Sequence, residues 1–121
     1  MATNVLGEAL KECGCSPVTG WYLDGYCRED KSDFGNHVIC CVMTEIYLKY
    51  TFSQGNNLIE PRSELQFPGL HPGDHWCLCL SRWQEAWQDG VAPPVILEST
   101  DYSALKVVSI DILLAFQMKT P

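Results

Sequence analysis

The sequence is poor in basic residues. Its 121 residues include eight Lys and Arg against fifteen Asp and Glu, which gives a formal net charge of -7. Such a charge repels both the phosphate backbone of nucleic acids and an anionic membrane surface. Lys and Arg are also scattered along the chain rather than clustered. We therefore expect that neither a nucleic acid nor a membrane is a partner.

Long apolar runs and catalytic motifs are lacking too. No apolar run approaches the roughly 20 residues that cross a bilayer, and the first residues resemble no export signal, so we expect a cytoplasmic protein. No internal repeat or biased segment divides the chain, which predicts a single domain over residues 1–121. A Gly-rich phosphate loop, a Gly-x-Ser-x-Gly elbow and a paired-His metal helix are all missing. The sequence therefore favours a non-catalytic binding or assembly domain, without a cofactor, over an enzyme.

Short strand signals alternate with helix signals along the rest of the chain. The β-branched run from His37 to Met43 predicts a strand, and Thr44 is placed to cap a helix that Gly55 ends. A second strand, His75 to Leu80, runs directly into a helix for which Ser81 is the expected cap. This order predicts an α+β fold: a small mixed sheet with three to four helices packed on it and long irregular loops.

Two further elements are predicted nearer the ends of the chain. The aromatic segment from Thr19 to Cys27 has Asp24-Gly25 at its centre, which is typical of a β-hairpin. Ser109 is placed to cap a last helix that begins at Ile110.

The seven cysteines are the most unusual feature of the composition. Without an export signal, we expect them to be reduced thiols. Alternate residues of a strand share a face, so Cys77 and Cys79 are predicted neighbours. If the strand containing Cys40 pairs nearby, these three sulfurs and either His37 or Cys27 make a tetrahedral zinc site. The alternatives are simple packing of buried cysteines, and a reactive thiol such as Cys79 near a helix start.

A second set of candidates concerns ligand binding. Arg62 and Arg82 have the fork geometry that holds a carboxylate or phosphate, although surface ion pairs are the alternative. Asp74 lies beside a Pro-Gly turn, where an Asp usually bonds the backbone. Trp76 and Trp83 are among many aromatic residues in the sequence. Such residues can line a ligand cleft or a homodimer interface, and the alternative is that they pack in the core. We expect the loop from Gly55 to Asp74 to form part of any small-molecule cleft.

Several segments together resemble a family of mainly bacterial proteins catalogued as domain of unknown function 2237. They are Asn4-Val5-Leu6-Gly7, Pro17-Val18-Thr19-Gly20, Asp24-Gly25, Gly35-Asn36-His37, Phe67-Pro68-Gly69-Leu70, Pro72-Gly73-Asp74, Trp76-Cys77-Leu78-Cys79 and Gly90-Val91-Ala92-Pro93-Pro94. The resemblance covers nearly the whole chain and implies a free-standing single domain, but it supplies no activity.

The resemblance also marks positions that match the family pattern and positions that depart from it. The matching positions are Cys13, Cys27, His37, Cys40, Asp74, Trp76, Cys77, Cys79, Arg82 and Trp83. Cys15 and Cys41 do not match. The family usually has a second cysteine at the position of Tyr26, an Asp at that of Asn57 and a basic residue at that of His75.

Overall fold

A computed structural model describes residues 2–14, 18–65 and 67–118 of the protein. Within these ranges it has two strands, β1 (Ile39–Val42) and β2 (His75–Leu78), and three α-helices, α1 (Glu45–Ser53), α2 (Leu80–Gln88) and α3 (Ile110–Ala115). Single turns of 3-10 helix lie at Ser63–Leu65, Leu97–Ser99 and Tyr102–Lys106. The predicted α+β class, with helices beside a small sheet and long loops, is confirmed. In the described ranges no helix has the length and apolar character needed to cross a membrane.

The two strands form an antiparallel pair in which Cys40 lies directly opposite Cys77. The backbone amides of these two residues are satisfied by threonine side chains rather than by the partner strand. Cys77 N–H donates to Thr19 Oγ1 at 2.8 Å, and Cys40 N–H donates to Thr100 Oγ1 at 3.1 Å. The strand pair is therefore flanked on both sides by irregular segments that are tied to it through side chains.

The helix ends follow local sequence signals in most cases. Thr44 Oγ1 accepts from Tyr47 N–H at 3.1 Å, and Ser109 Oγ accepts from Ile112 N–H at 3.4 Å, so both predicted caps are confirmed. Gly55, with φ +90, follows α1 in the left-handed conformation as predicted. The cap predicted at Ser81 is wrong. Because β2 stops at Leu78, Cys79 becomes the N-cap of α2, and it makes no side-chain cap bond.

The core lies between the strand pair and the helices, and Trp83 of α2 is its largest side chain. The indole is fully buried, donates through Nε1 to Pro93 O at 3.1 Å and meets Phe116 edge-on at 5.4 Å between ring centroids. Helices α1 and α2 are joined at the surface by Tyr50, whose hydroxyl donates to the Asp89 carboxylate at 2.5 Å.

The first third of the chain is held by polar contacts instead of regular elements. In residues 2–14 and 18–36 only turns, bends and lone bridges occur. Asn4 is fully buried there, and its side chain bonds four backbone groups, those of Leu6, Glu8, Ala9 and Glu98. The predicted hairpin is wrong. Gly25 N–H bonds Thr19 O, and the Asp24 carboxylate accepts from Tyr26 N–H, so this segment closes on itself without forming a ladder.

Candidate functional site

Two disulfides connect the irregular first third of the chain to the strand pair. Cys13 is bonded to Cys40 and Cys27 to Cys77, with Cα atoms 5.7 and 5.2 Å apart. The expectation of reduced thiols is therefore wrong for these four residues. The physical reason is the strand register: it sets Cys40 and Cys77 side by side, and each faces a cysteine from the preceding segment. Cys15 lies outside the described residues.

The four disulfide sulfurs lie together in one buried group, which we call the sulfur cluster. The Sγ atoms of Cys13, Cys27 and Cys77 are all within 4.8 Å of one another, and the Sγ of Cys40 is bonded to that of Cys13. Each of the four residues is at most 4 % exposed, and Ile96 packs against them. Three of the predicted zinc ligands, Cys27, Cys40 and Cys77, are thus brought together.

The remaining thiol and metal candidates lie elsewhere. β2 ends before Cys79, so the prediction that Cys79 shares a strand face with Cys77 is wrong. The Cys79 sulfur lies 3.2 Å from Ser81 Oγ, and His37 is paired with Asp33 instead of joining the cluster. The fourth cysteine of the sulfur cluster is Cys13, which was not among the predicted zinc ligands. Periodicity could not place it because it belongs to no helix or strand, although it matches the family pattern.

A cleft of about 640 Å³ opens beside the strand pair. That volume is in the range of small-molecule sites. Its walls come from the segment that begins at Val18, from His37 before β1, from the loop after α1 and from β2. The lining residues are Val18, Gly20, Trp21, Leu23, His37, Gly55, Asn56, Asn57, Leu58, Arg62, Phe67, Pro68, Trp76 and Cys77. The loop that begins at Gly55 therefore does form part of a cleft, as predicted.

Aromatic side chains make up much of the apolar wall. Trp76 of β2 and Phe67 stack in a tilted arrangement with ring centroids 5.3 Å apart. Phe67 is fixed by a short bridge, because its backbone exchanges two hydrogen bonds with Arg62 at 2.7 and 3.0 Å. The same bridge brings Arg62 into the lining. Trp21, which is 45 % exposed, completes this aromatic wall.

His37 is held in one orientation by a buried carboxylate. Asp33, which is 2 % exposed, accepts from His37 N–H at 2.8 Å and pairs with His37 Nδ1 at 2.7 Å. This contact fixes the tautomer with the proton on Nδ1 and leaves Nε2 for a ligand. Gly35 makes room for the ring, since a Cβ atom there would lie 2.6 Å from His37 Cε1. The Gly35-Asn36-His37 segment therefore has a steric reason for its glycine.

The lining of the cleft differs in its charged residues from the chain as a whole. Among the described residues that line it, Arg62 and His37 are the basic groups and no carboxylate occurs, while Asp33 is paired with His37 behind the lining. Asn57 uses its side-chain oxygen to accept from Ile59 N–H and Glu60 N–H, so its NH₂ group is left as a donor toward the cleft. The Arg62 guanidinium and the Asn57 amide thus offer donors in the polar part of the cleft, which suits an anionic group.

Three predicted ligand-binding residues lie outside the cleft. Asp74 accepts from His71 N–H at 2.8 Å and closes the turn before β2. Arg82 donates to Gln54 O at 3.1 Å and pairs with Glu85 at 3.4 Å on the outside of α2. Trp83 is buried in the core and cannot line a cleft. Sequence reasoning found Arg62 and Trp76 and counted Trp21 among the aromatic residues that suit a cleft, but it missed Asp33 and Phe67.

Comparison with known proteins identifies one family. The model of a family described as uncharacterised proteins conserved in bacteria, DUF2237, matches residues 3–117. No curated protein matches the chain. The segments by which the chain resembles this family supply half of the cleft lining, namely Val18, Gly20, His37, Phe67, Pro68, Trp76 and Cys77.

Proposed function

The chain belongs to the DUF2237 family, whose function is unknown, and from that premise we propose that it is a binding protein for small organic anions that have an aromatic or planar body. The cleft beside the strand pair is the proposed site. The lining of this cleft carries the proposal: its described residues include two basic side chains and three aromatic rings but no carboxylate.

The charged residues of the cleft support binding of an anion. Fifteen acidic residues outnumber eight basic ones, so a cleft of this size would contain acidic groups if the lining were a random sample of the surface. Instead Arg62 faces the cleft, and no hydrogen bond or ion pair of its guanidinium occurs within the described part of the chain. A guanidinium binds a carboxylate through two parallel hydrogen bonds. An anionic group of the ligand is therefore expected at Arg62.

The aromatic wall of the cleft also supports the proposal. Trp76 and Phe67 are mutually packed, and Trp21 is partly exposed at the same cleft. Flat apolar surfaces of this kind favour a flat ligand, because stacking adds to the burial of apolar area. His37 Nε2 and the Asn57 amide supply further polar contacts that would orient the ligand.

Calorimetric titration with a panel of aromatic carboxylates tests the proposal. Arg62→Gln should weaken carboxylate binding by roughly 10- to 100-fold, since a hydrogen bond to a charged group contributes about 1.5–3 kcal/mol. The neutral amides of the same compounds should bind more weakly to the native protein, and the substitution should change their affinity little.

Arg82→Gln is the matched control, because it removes the same charge from the outside of α2. This variant should retain carboxylate binding. The proposal is wrong if no carboxylate binds, or if the two arginine variants lose affinity equally.

We further propose that the protein self-associates through apolar side chains near the cleft. Leu23, which lines the cleft, is 64 % exposed, and Phe34, which comes three residues before the cleft residue His37, is 95 % exposed. Exposed apolar groups in one neighbourhood are typical of protein interfaces. Light scattering should give a dimer for the native chain and a monomer for Phe34→Ser. A monomeric native chain contradicts this part of the proposal.

A further inference from the structure

The two disulfides of the sulfur cluster lie against each other in the buried interior. Three sulfurs lie within 4.8 Å of one another, and the fourth is bonded to one of the three. The four side chains come from three separate parts of the chain, since Cys13 and Cys27 precede the strands while Cys40 is in β1 and Cys77 in β2. The fold therefore brings four cysteine sulfurs from these parts of the chain into one buried group.

This spacing is close to that of a tetrahedral zinc site. With Zn–S bonds of about 2.3 Å, the sulfurs of a tetrathiolate site lie about 3.8 Å apart. Three of the four sulfurs already lie within 4.8 Å of one another, and the fourth, that of Cys40, is bonded to the Cys13 sulfur, so reduction of both disulfides followed by side-chain rotation would lead to that geometry. The site would be closed, because all four ligands are buried and no position is left for water.

We propose that the four cysteines of the sulfur cluster bind one Zn²⁺ ion in the reduced protein. In a reducing compartment such as the cytoplasm, disulfides are kept as thiols. Each disulfide takes two electrons and two protons from one molecule of a dithiol reductant, which itself becomes a disulfide. Zn²⁺ then replaces the four thiol protons, which pass to solvent. Oxidation by two disulfide molecules reverses the sequence, releases Zn²⁺ and restores both cross-links.

The zinc form would hold the chain together as the disulfides do. Both forms join the irregular first third of the chain to the strand pair at the same four positions. His75 lies beside the cluster, with its Nδ1 bonded to the carbonyl of Cys13 at 2.8 Å.

The test uses a variant that keeps only the four cluster cysteines, Cys15→Ser/Cys41→Ala/Cys79→Ser. The reduced variant is titrated with Co²⁺ in the absence of oxygen. We expect one Co²⁺ per chain, with the strong visible absorption of tetrahedral cobalt and thiolate-to-metal charge transfer, and displacement by Zn²⁺. Addition of a disulfide oxidant should release the metal and restore the Cys13–Cys40 and Cys27–Cys77 pairing in a peptide map.

A second substitution separates this site from adventitious binding. Adding Cys77→Ser to the four-cysteine variant should remove the tetrathiolate spectrum. If that variant does not fold, the titration of the four-cysteine protein still decides the question. The proposal is overturned if the reduced four-cysteine protein binds no Co²⁺, or if the bound Co²⁺ shows no thiolate charge transfer. It is also overturned if a folded Cys77→Ser variant binds with the same spectrum.

Discussion

The two described cysteines outside the disulfides, Cys41 and Cys79, differ in their access to solvent. Cys41 is fully buried in the hydrophobic core, and burial raises the pKa of its thiol well above the ordinary value. Cys79 is partly exposed at the start of α2. Because the thiolate is the form that reacts with alkylating reagents, the two residues should differ in reactivity.

We expect iodoacetamide to label Cys79 of the native protein at least roughly tenfold faster than Cys41. Peptide mapping by mass spectrometry at increasing reaction times measures both rates. In urea, without a reductant, the difference should disappear because unfolding exposes Cys41. Equal labelling of the two residues in the folded protein would show that Cys41 is not buried as described.

At the scale of secondary structure, the helices are joined by few polar contacts, and the one between Tyr50 of α1 and Asp89 after α2 is the shortest. The hydrogen bond to the Asp89 carboxylate is the main reason that the pKa of Tyr50 rises to about 12, with desolvation as a smaller cause. The ordinary pKa of tyrosine is 10.0. The protonated phenol is therefore favoured by folding, and its contribution to stability is complete below pH 10.

This contribution should be lost as the pH rises from 10 toward 12. Tyr50→Phe should lower the free energy of unfolding at neutral pH and make it fall less steeply in the alkaline range. Urea unfolding at several pH values from about 8 to about 11 measures both effects. Tyr102→Phe is the control, since Tyr102 is exposed and its hydroxyl makes no hydrogen bond within the described ranges. An unchanged alkaline slope in Tyr50→Phe would contradict this account.

Sequence patterns predicted elements whose causes are local. Thr44 and Ser109 cap helices through residues three positions away, and Gly55 ends α1 by its own backbone conformation. The start of α2 was predicted wrongly because it depends on where β2 stops. That point is set by pairing with β1, which periodicity in the strand itself does not show.

At the scale of the whole molecule, the disulfides and the cleft depend on contacts between distant segments. Cys13–Cys40 and Cys27–Cys77 span 27 and 50 residues. In the chain-entropy model they stabilise the fold by roughly 3–4 kcal/mol each. Neither pairing can be derived from spacing, since seven cysteines allow many combinations. Arg62 and Trp76 were found because their residue types suit a ligand, but Asp33 was missed because only the folded chain shows its contact with His37.

The four tryptophans provide the most direct measurement of the proposed function. Trp21 and Trp76 line the cleft, while Trp83 is in the core and Trp87 lies on the exposed side of α2. Each indole N–H gives a separate signal in a ¹H–¹⁵N spectrum. Titration with an aromatic carboxylate that binds in calorimetry should shift the signals of Trp21 and Trp76 and leave those of Trp83 and Trp87 in place. If the cleft signals stay unmoved at saturation, or only Trp87 responds, the cleft is not the binding site.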